Sequence, residues 1–326
     1  MRRAGRLFGA AMLAVLVAVA GLLAVAPRER LDLVPAFDAA RLPEDLDAYL
    51  RDREAVVGGI TPGVEKRILW AGAAGARTPW AVVYLHGFSA TSEEIRPVPD
   101  RVATALGANL YFARLAGHGV PGERFAGPSV NDWMIDVAEA LAIGGRIGRR
   151  VLVIATSTGG TLAAEAALQP VLAQGMEGIV FVSPNFGIRA PAAAILTWPH
   201  ARVWAPVVAG RERCFEAVND AHARFWTTCY PTEALFPMAA LAKHAARADY
   251  AAARVPALFL LAEADRVVSP AATRRVAAGW GGPVTLLPLV VGPGDDPYSH
   301  VIAGDILSPS MTAPVTAAIL DWVNRL

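Results

Sequence analysis

Short apolar runs recur along the chain and are separated by segments with helical spacing of apolar residues. Runs rich in β-branched and aromatic residues predict strands at 80–85, 109–113, 151–155, 178–182, 257–261 and 284–289. Helical spacing predicts helices at 95–106, 130–147, 158–169, 271–280 and 311–326. Because the strand runs are apolar without alternation, we expect helices to cover both faces of the sheet. The order of elements predicts an α/β fold with a mostly parallel, twisted sheet.

One long stretch interrupts this alternation. Residues 185–255 contain several helix-like segments but no strand candidate. An insertion of this length between two core strands predicts a helical cap or lid over a site, although ordinary packing helices would give the same pattern. We therefore assign residues 56–184 and 256–326 to the core and residues 185–255 to the cap.

The N-terminus has the pattern of a membrane segment. Residues 1–6 carry three arginines, and residues 7–26 form an uncharged apolar run that is long enough to span a bilayer. The arginines should stay on the cytoplasmic side, which places the remainder of the chain on the exported side. Residues 24–26 have the form of a signal-peptidase site, but Pro27 should hinder cleavage, so we favour a signal anchor over a cleaved signal peptide. Residues 27–55 are predicted to be a linker with a short helix near 44–53.

A candidate nucleophile follows the third predicted strand. There the chain passes from an apolar run through Thr156-Ser157-Thr158-Gly159-Gly160 into a helix, which is the context of a nucleophile elbow. The usual G-x-S-x-G pattern has Ala155 at its first position here. Capping of the helix by Ser157 is the structural alternative. The elbow interpretation predicts that the backbone N–H of Thr158 points at a developing oxyanion.

The acid and the base are expected in chain order after the serine. Asp265 follows the carboxyl end of the fifth predicted strand, where catalytic groups collect in α/β sheets. We prefer it to Glu263 because the apolar pair Val267-Val268 can anchor its loop. His300 lies in the loop after the last predicted strand and is the candidate base.

A second oxyanion donor is expected in the loop after the first predicted strand. The sequence His86-Gly87-Phe88 allows a tight turn there, and the backbone N–H of Phe88 is the candidate donor. For His86 itself we expect a structural role, with its ring bonded to backbone groups.

Together these segments resemble the α/β-hydrolase superfamily, in its monoacylglycerol lipase, carboxylesterase and serine aminopeptidase branch. The matching segments are LHGFSA at 85–90, RLAGHG at 114–119, NDWMIDVAEAL at 131–141, ATSTGG at 155–160, EADRVV at 263–268 and SHV at 299–301. The resemblance covers residues 80–326 apart from the cap. It implies an α/β-hydrolase fold, a helical cap, no cofactor, and acyl transfer through an ester on Ser157.

Charge and cysteine content narrow the remaining choices. The net charge of +1 gives no field that would recruit nucleic acid, and no cysteine or histidine cluster has the spacing of a metal site. Cys214 and Cys229 could form a disulfide in an oxidising compartment, or remain two buried thiols. The sequence carries no signal for oligomeric state.

The leading hypothesis is an exported, membrane-anchored serine hydrolase that cleaves a small ester or a monoacyl lipid. A second hypothesis is amide or peptide-end hydrolysis, for which the cap acids Glu212, Glu216 and Asp220 could receive a free amino group. A third is a non-catalytic binding protein on the same fold, since fold alone does not fix function.

Overall fold

The computed structural model describes residues 12, 13, 21 and 27–326, and its centre is a β-sheet. The strands are β1 (Arg67–Leu69), β2 (Thr78–Leu85), β3 (Asn109–Phe112), β4 (Gly148–Thr156), β5 (Met176–Val182), β6 (Glu212–Cys214), β7 (Cys229–Pro231), β8 (Ala257–Ala262) and β9 (Val284–Leu289). Seven of them form one sheet in the order β1-β3-β2-β4-β5-β8-β9. Its strands pair in parallel except β1, which runs antiparallel to β3 at the edge. The six predicted strands are confirmed, whereas β1 was not predicted.

Helices cover both faces of this sheet. The α-helices of the described chain are α1 (Leu46–Ala55), α2 (Val98–Leu106), α3 (Val130–Ile147), α4 (Ser157–Ala167), α5 (Pro170–Ala173), α6 (Ala201–Ala209), α7 (Asp220–Phe225), α8 (Leu235–Ala245), α9 (Pro270–Gly279) and α10 (Thr312–Val323). Successive residues of β2 enter opposite layers: Val83 and Leu85 join one core cluster, and Val82 and Tyr84 join the other. Both faces of the central strands are therefore buried, as the unbroken apolar runs predicted, whereas the edge strand β9 is only partly covered.

The segment predicted to be a linker packs against the core. Helix α1 begins at an Asp45 cap, whose side chain accepts the N–H of Ala48. Leu46 and Leu50 lie one turn apart and are buried in the main core cluster together with Leu42. Residues 42–55 therefore form part of the folded unit, because this leucine spacing gives the helix an apolar side that must be covered.

The chain leaves the sheet after β5 and returns at β8. The insertion contains α6, α7 and α8, as expected of a helical insertion, but it also contains β6 and β7, which sequence analysis missed. These two strands pair antiparallel, and a disulfide between Cys214 and Cys229 joins them.

Two contacts tie the insertion to the carboxyl edge of the sheet. At its start, Ile188 forms an isolated bridge with Val268, just beyond the end of β8. Further along, the N–H of Thr227 donates to the carbonyl of Ser89 at 2.7 Å, in the loop after β2. The insertion therefore lies at the edge where catalytic groups of this architecture collect.

The predicted membrane segment at 7–26 lies outside the described residues, except for Met12, Leu13 and Gly21. Within the described part of the chain, no helix combines the length and the apolar character needed to cross a bilayer.

Candidate active site

Ser157 stands at a sharp junction between a strand and a helix. Strand β4 ends at Thr156 and helix α4 begins at Ser157, whose φ of 48° lies in the left-handed region. A non-glycine residue rarely adopts this conformation, and such strain persists only where the surrounding structure enforces it. The turn has the geometry expected of a nucleophile elbow.

Close packing of α4 against the end of β2 enforces this turn. A Cβ atom added at Gly159 would lie 2.4 Å from the carbonyl oxygen of Leu85 and 2.6 Å from that of His86. A Cβ atom added at Gly160 would lie 3.0 Å from Cβ of Pro184. The helix can approach the two strand ends this closely only because both positions lack a side chain.

The three residues proposed from sequence form one hydrogen-bonded chain. The Ser157 hydroxyl lies 3.1 Å from Nε2 of His300, and Nδ1 of His300 lies 2.8 Å from Oδ2 of Asp265. All three residues are buried. The Asp265 carboxylate accepts a hydrogen bond from the N–H at Nδ1 of His300, which leaves Nε2 as the acceptor for the Ser157 hydroxyl.

The loop that carries Asp265 is fixed by its own backbone. Oδ1 of Asp265 accepts the N–H groups of Val267 at 2.7 Å and Val268 at 2.9 Å. The side chain of Val268 is buried but that of Val267 is exposed, so amide donors stabilise this loop more than the apolar pair that we expected. The competing carboxylate, Glu263, is exposed and pairs with Arg274 instead.

A second aspartate holds the loop of His300. Oδ2 of Asp296 accepts the backbone N–H groups of His300 and Val301, each at 2.8 Å. Sequence analysis assigned no role to Asp296. Its carboxylate fixes the backbone from which the imidazole projects.

The electrostatic setting of His300 favours the protonated ring. Burial alone would lower the pKa of His300, but the negative charges of Asp265, Glu94 and Asp296 outweigh burial and raise it above its ordinary value. An imidazolium formed during a reaction would be stabilised by the same charges.

The two candidate oxyanion donors flank the serine. A Cβ atom added at Gly87 would lie 3.0 Å from Cβ of Ser157, so the loop that continues into Phe88 passes directly beside this serine. Thr158 occupies the first turn of α4, where backbone N–H groups have no partner within the helix. The backbone N–H groups of Phe88 and Thr158 therefore stay the predicted oxyanion donors.

His86 supports the same loop from behind. Its Nε2 accepts the N–H of Leu115 at 3.1 Å, and its Nδ1 lies 2.9 Å from the carbonyl oxygen of Gly87. Complete burial lowers its pKa to about 4, so the ring is neutral at physiological pH. Its bonds are to backbone groups, as expected.

Sequence analysis missed one buried carboxylate at the site. Oε2 of Glu94 accepts the N–H of Gly87 at 2.7 Å and the hydroxyl of Tyr84 at 3.0 Å. Burial raises the pKa of Glu94 to about 7, despite the opposing effects of these donors and of His300. Glu94 thus fixes the loop beside Ser157 and places a titratable group close enough to interact with His300. A run such as Ser92-Glu93-Glu94 reads as a solvated turn, so no signal in the sequence marks this residue.

The insertion also contacts the segment that carries Ser157. The backbone N–H of Asn185 donates to the carbonyl of Ser157 at 3.0 Å, and its side-chain amide lies 3.4 Å from Sδ of Met238 in α8. The ring of Phe88 packs against Phe125 and against Tyr230 of β7, with centroids 4.7 and 5.6 Å away. The insertion therefore packs against the segment of Ser157 through Asn185 and against the ring of Phe88 through Tyr230.

Solved structures with the same fold include several lipolytic enzymes. The metagenome-derived lipolytic enzymes LipS and LipT are represented by a chain with 20% identity and a TM-score of 0.67, over 82% of this chain and 100% of that one. A monoacylglycerol lipase from Paleococcus ferrophilus has 19% identity and a TM-score of 0.58, over 79% and 98% of the two chains. A soluble variant of monoglyceride lipase from Saccharomyces cerevisiae, solved with a substrate analog, has 12% identity and a TM-score of 0.58, over 82% and 97%. These likenesses confirm the α/β-hydrolase fold.

Sequence comparison gives the family. No curated protein matches the chain. The model of the family described as serine aminopeptidase, S33, matches residues 76–286, which is more than half of the chain and includes both Ser157 and Asp265. The protein is therefore a hydrolase that belongs to the serine aminopeptidase family S33, within the α/β-hydrolase superfamily.

Proposed function

We propose that the protein is a serine hydrolase that cleaves a carboxylic ester through an acyl-enzyme on Ser157. The hydrogen-bonded chain from Ser157 through His300 to Asp265 carries this proposal. His300 accepts the hydroxyl proton while the serine oxygen attacks the ester carbonyl, and Asp265 stabilises the imidazolium that forms. The backbone N–H groups of Phe88 and Thr158 bind the oxyanion.

The remaining steps release the alcohol and then the acid. His300 gives its proton to the departing alcohol, and the acyl group stays on Ser157. A water molecule then gives a proton to the same Nε2 and attacks the acyl carbonyl. The serine leaves with the proton from His300, so the free enzyme and a carboxylic acid are restored.

An apolar acyl group fits the surroundings of the serine better than a charged one. The cluster of Phe88, Phe125 and Tyr230 lies beside the oxyanion loop, and Met238 lies on the insertion side. The cap acids that would favour an aminopeptidase, Glu212, Glu216 and Asp220, are all exposed. A small ester or a monoacyl lipid is therefore the preferred substrate class, and amide hydrolysis is the alternative.

Active-site labelling tests the nucleophile. We expect a fluorophosphonate probe to label the full-length protein, and Ser157→Ala to abolish labelling. The matched control is Ser89→Ala, because Ser89 is also buried and left-handed but its side chain is not part of the hydrogen-bonded chain. Equal labelling of all three proteins, or none in a folded protein, would contradict the assignment.

Substrate assays separate ester from amide hydrolysis. We expect turnover of p-nitrophenyl butyrate and of a monoacylglycerol, and little turnover of amino-acid p-nitroanilides. Preference for the anilides would favour the aminopeptidase alternative. Probe labelling without turnover of any of these compounds would show an activated serine with a different substrate class.

We also propose that residues 7–26 anchor the protein in a membrane, with the catalytic part on the exported side. The apolar run follows three arginines, and a disulfide joins Cys214 to Cys229, which suits an oxidising compartment. Resistance of the protein to carbonate extraction from membranes, together with its digestion by protease added to spheroplasts, would support this topology. Recovery in the cytosolic fraction would contradict it.

A further inference from the structure

The insertion presents an exposed apolar face outside the catalytic site. Trp198 is 57% exposed, and in α6 Val203, Val207 and Val208 are 71%, 80% and 74% exposed. We call these four side chains the α6 face. Ala201 and Ala205, on the inward side of the helix, are buried against Phe236 of α8.

The helix that carries this face has little polar character to oppose burial. Arg202 is the only charged residue of α6, and its guanidinium group pairs with Glu29 at 2.6 and 2.8 Å. Val203 and Val207 are one turn apart and share one side of the helix. Exposed valines on one side of a surface helix, with exposed Trp198 before the helix and exposed Val208 near its end, are typical of an interaction surface.

The start of the described chain lies directly beside the α6 face. The carbonyl of Pro27 accepts the N–H of His200, the residue before α6, at 2.9 Å. The Glu29 to Arg202 pair adds a second link two residues later. The apolar run at 7–26 ends at the residue before Pro27, so it joins the folded unit next to this face.

We propose that the α6 face inserts into the surface of the lipid bilayer in which residues 7–26 are anchored. This inference rests on the proposed anchoring. A spanning segment that ends at residue 26 leaves Pro27 at the bilayer boundary, and the bond from Pro27 to His200 keeps α6 at that boundary. Helix α6 has nine residues, too few to span, but its apolar side suits a helix lying in the interface.

This orientation would bring the catalytic site to the membrane. Helix α8 carries Phe236 beneath the α6 face and, two residues later, Met238 against Asn185. Asn185 in turn contacts the backbone of Ser157. A continuous layer of the insertion thus connects the proposed membrane contact with the nucleophile, which suits a substrate drawn from the lipid phase.

Lipid-dependent quenching tests the proposal on the full-length chain. Val207→Cys would be labelled with a nitrobenzoxadiazole fluorophore, since the two native cysteines are bonded to each other. The protein would be placed in vesicles of phosphatidylcholine and phosphatidylglycerol with nitroxides on the lipid acyl chains. Val171→Cys is the matched control, because Val171 is 83% exposed and lies in α5, before the amino end of β5 and therefore away from the carboxyl edge that carries the site.

We expect lipid nitroxides to quench the label at position 207 strongly and aqueous iodide to quench it weakly, with the reverse at position 171. Quenching by iodide alone at position 207, on protein that floats with the vesicles, would overturn the proposal while leaving the anchor intact. Protection from both quenchers would assign the α6 face to residues 7–26 or to a second copy and would also overturn it. Protein that does not float with the vesicles would refute both the anchor and the membrane contact.

Discussion

Replacement of Gly159 by alanine is the sharpest test of how the fold builds the active site. The new methyl carbon would lie 2.4 Å from the carbonyl oxygen of Leu85 and 2.6 Å from that of His86. Ordinary contacts of this type exceed about 3 Å, so the helix and the strand end must separate by roughly 0.5–1 Å. Both atoms belong to backbone, and no side-chain rotation can relieve the overlap.

The displaced parts are the two sides of the proposed catalytic site. Helix α4 carries Ser157, and the end of β2 continues into the loop of Gly87 and Phe88. Overpacking of this kind costs about 1–3 kcal/mol of folding free energy. Misplacement of reacting groups by about 1 Å can lower activity about 100-fold. We therefore expect Gly159→Ala to lose stability modestly and esterase kcat/KM severely.

The assay compares kcat/KM for p-nitrophenyl butyrate with the midpoint of urea unfolding. Gly145→Ala is the matched control, because Gly145 is an exposed residue of α3 whose added Cβ atom meets nothing within 4 Å. The control should keep full activity and gain about 0.5–1 kcal/mol, the usual preference of a helix for alanine. Wild-type activity and stability in Gly159→Ala would refute the packing account of the elbow.

Three further substitutions probe the charges around the site and in the core. Asp265→Asn should lower kcat about 10,000-fold with a small effect on KM, because the amide can no longer select the His300 tautomer that accepts the serine proton. A decrease in kcat of less than tenfold would contradict this. Glu94→Gln keeps the acceptor for Gly87 but removes a negative charge, so the pKa of His300 should fall. The acidic limb of the kcat/KM profile should then move to lower pH, and a shift to higher pH would contradict the electrostatic role. Lys66→Met should lower the free energy of unfolding, measured in urea, by about 3–5 kcal/mol. The reason is that the buried ammonium of Lys66 lies 2.7 Å from Asp136, and its removal leaves buried carboxylates unpaired. An unchanged unfolding midpoint would contradict this.

The large strands were predictable because their residues are apolar on both faces. The strands that sequence analysis missed lack that signal. Strand β1 has three residues with only Ile68 buried, and β6 is fully exposed. Their pairing depends on neighbours that are distant in sequence: β1 on β3, and β6 on β7 through the disulfide. A local sequence pattern does not show whether a distant segment will pair with a short strand.

The catalytic candidates were predictable for a topological reason. In a parallel sheet the carboxyl ends of the strands lie along one edge, so residues just after β4, β8 and β9 can meet there although they are far apart in sequence. The positions of Glu94 and Asp296 do not follow from this topology. Each is defined by the backbone N–H groups that it accepts, and these contacts exist only in the folded chain. Polar residues whose role is to hold a loop therefore stay hidden in the sequence until the loop is seen.

The one departure from the elbow motif follows the same physical logic. Small residues on both sides of the serine allow the strand and the helix to pass closely, yet the crowding is unequal on the two sides. At Gly159 the nearest atoms are fixed carbonyl oxygens of the neighbouring strand end. Ala155, two residues before the serine, instead belongs to β4 and is buried within the main core cluster, in register with Leu85 and Phe181. A methyl group is accommodated where it adds to the core and is excluded where it would meet backbone. The motif thus reflects packing around the turn, and a pattern search that demands glycine at both positions would miss an elbow that the structure forms.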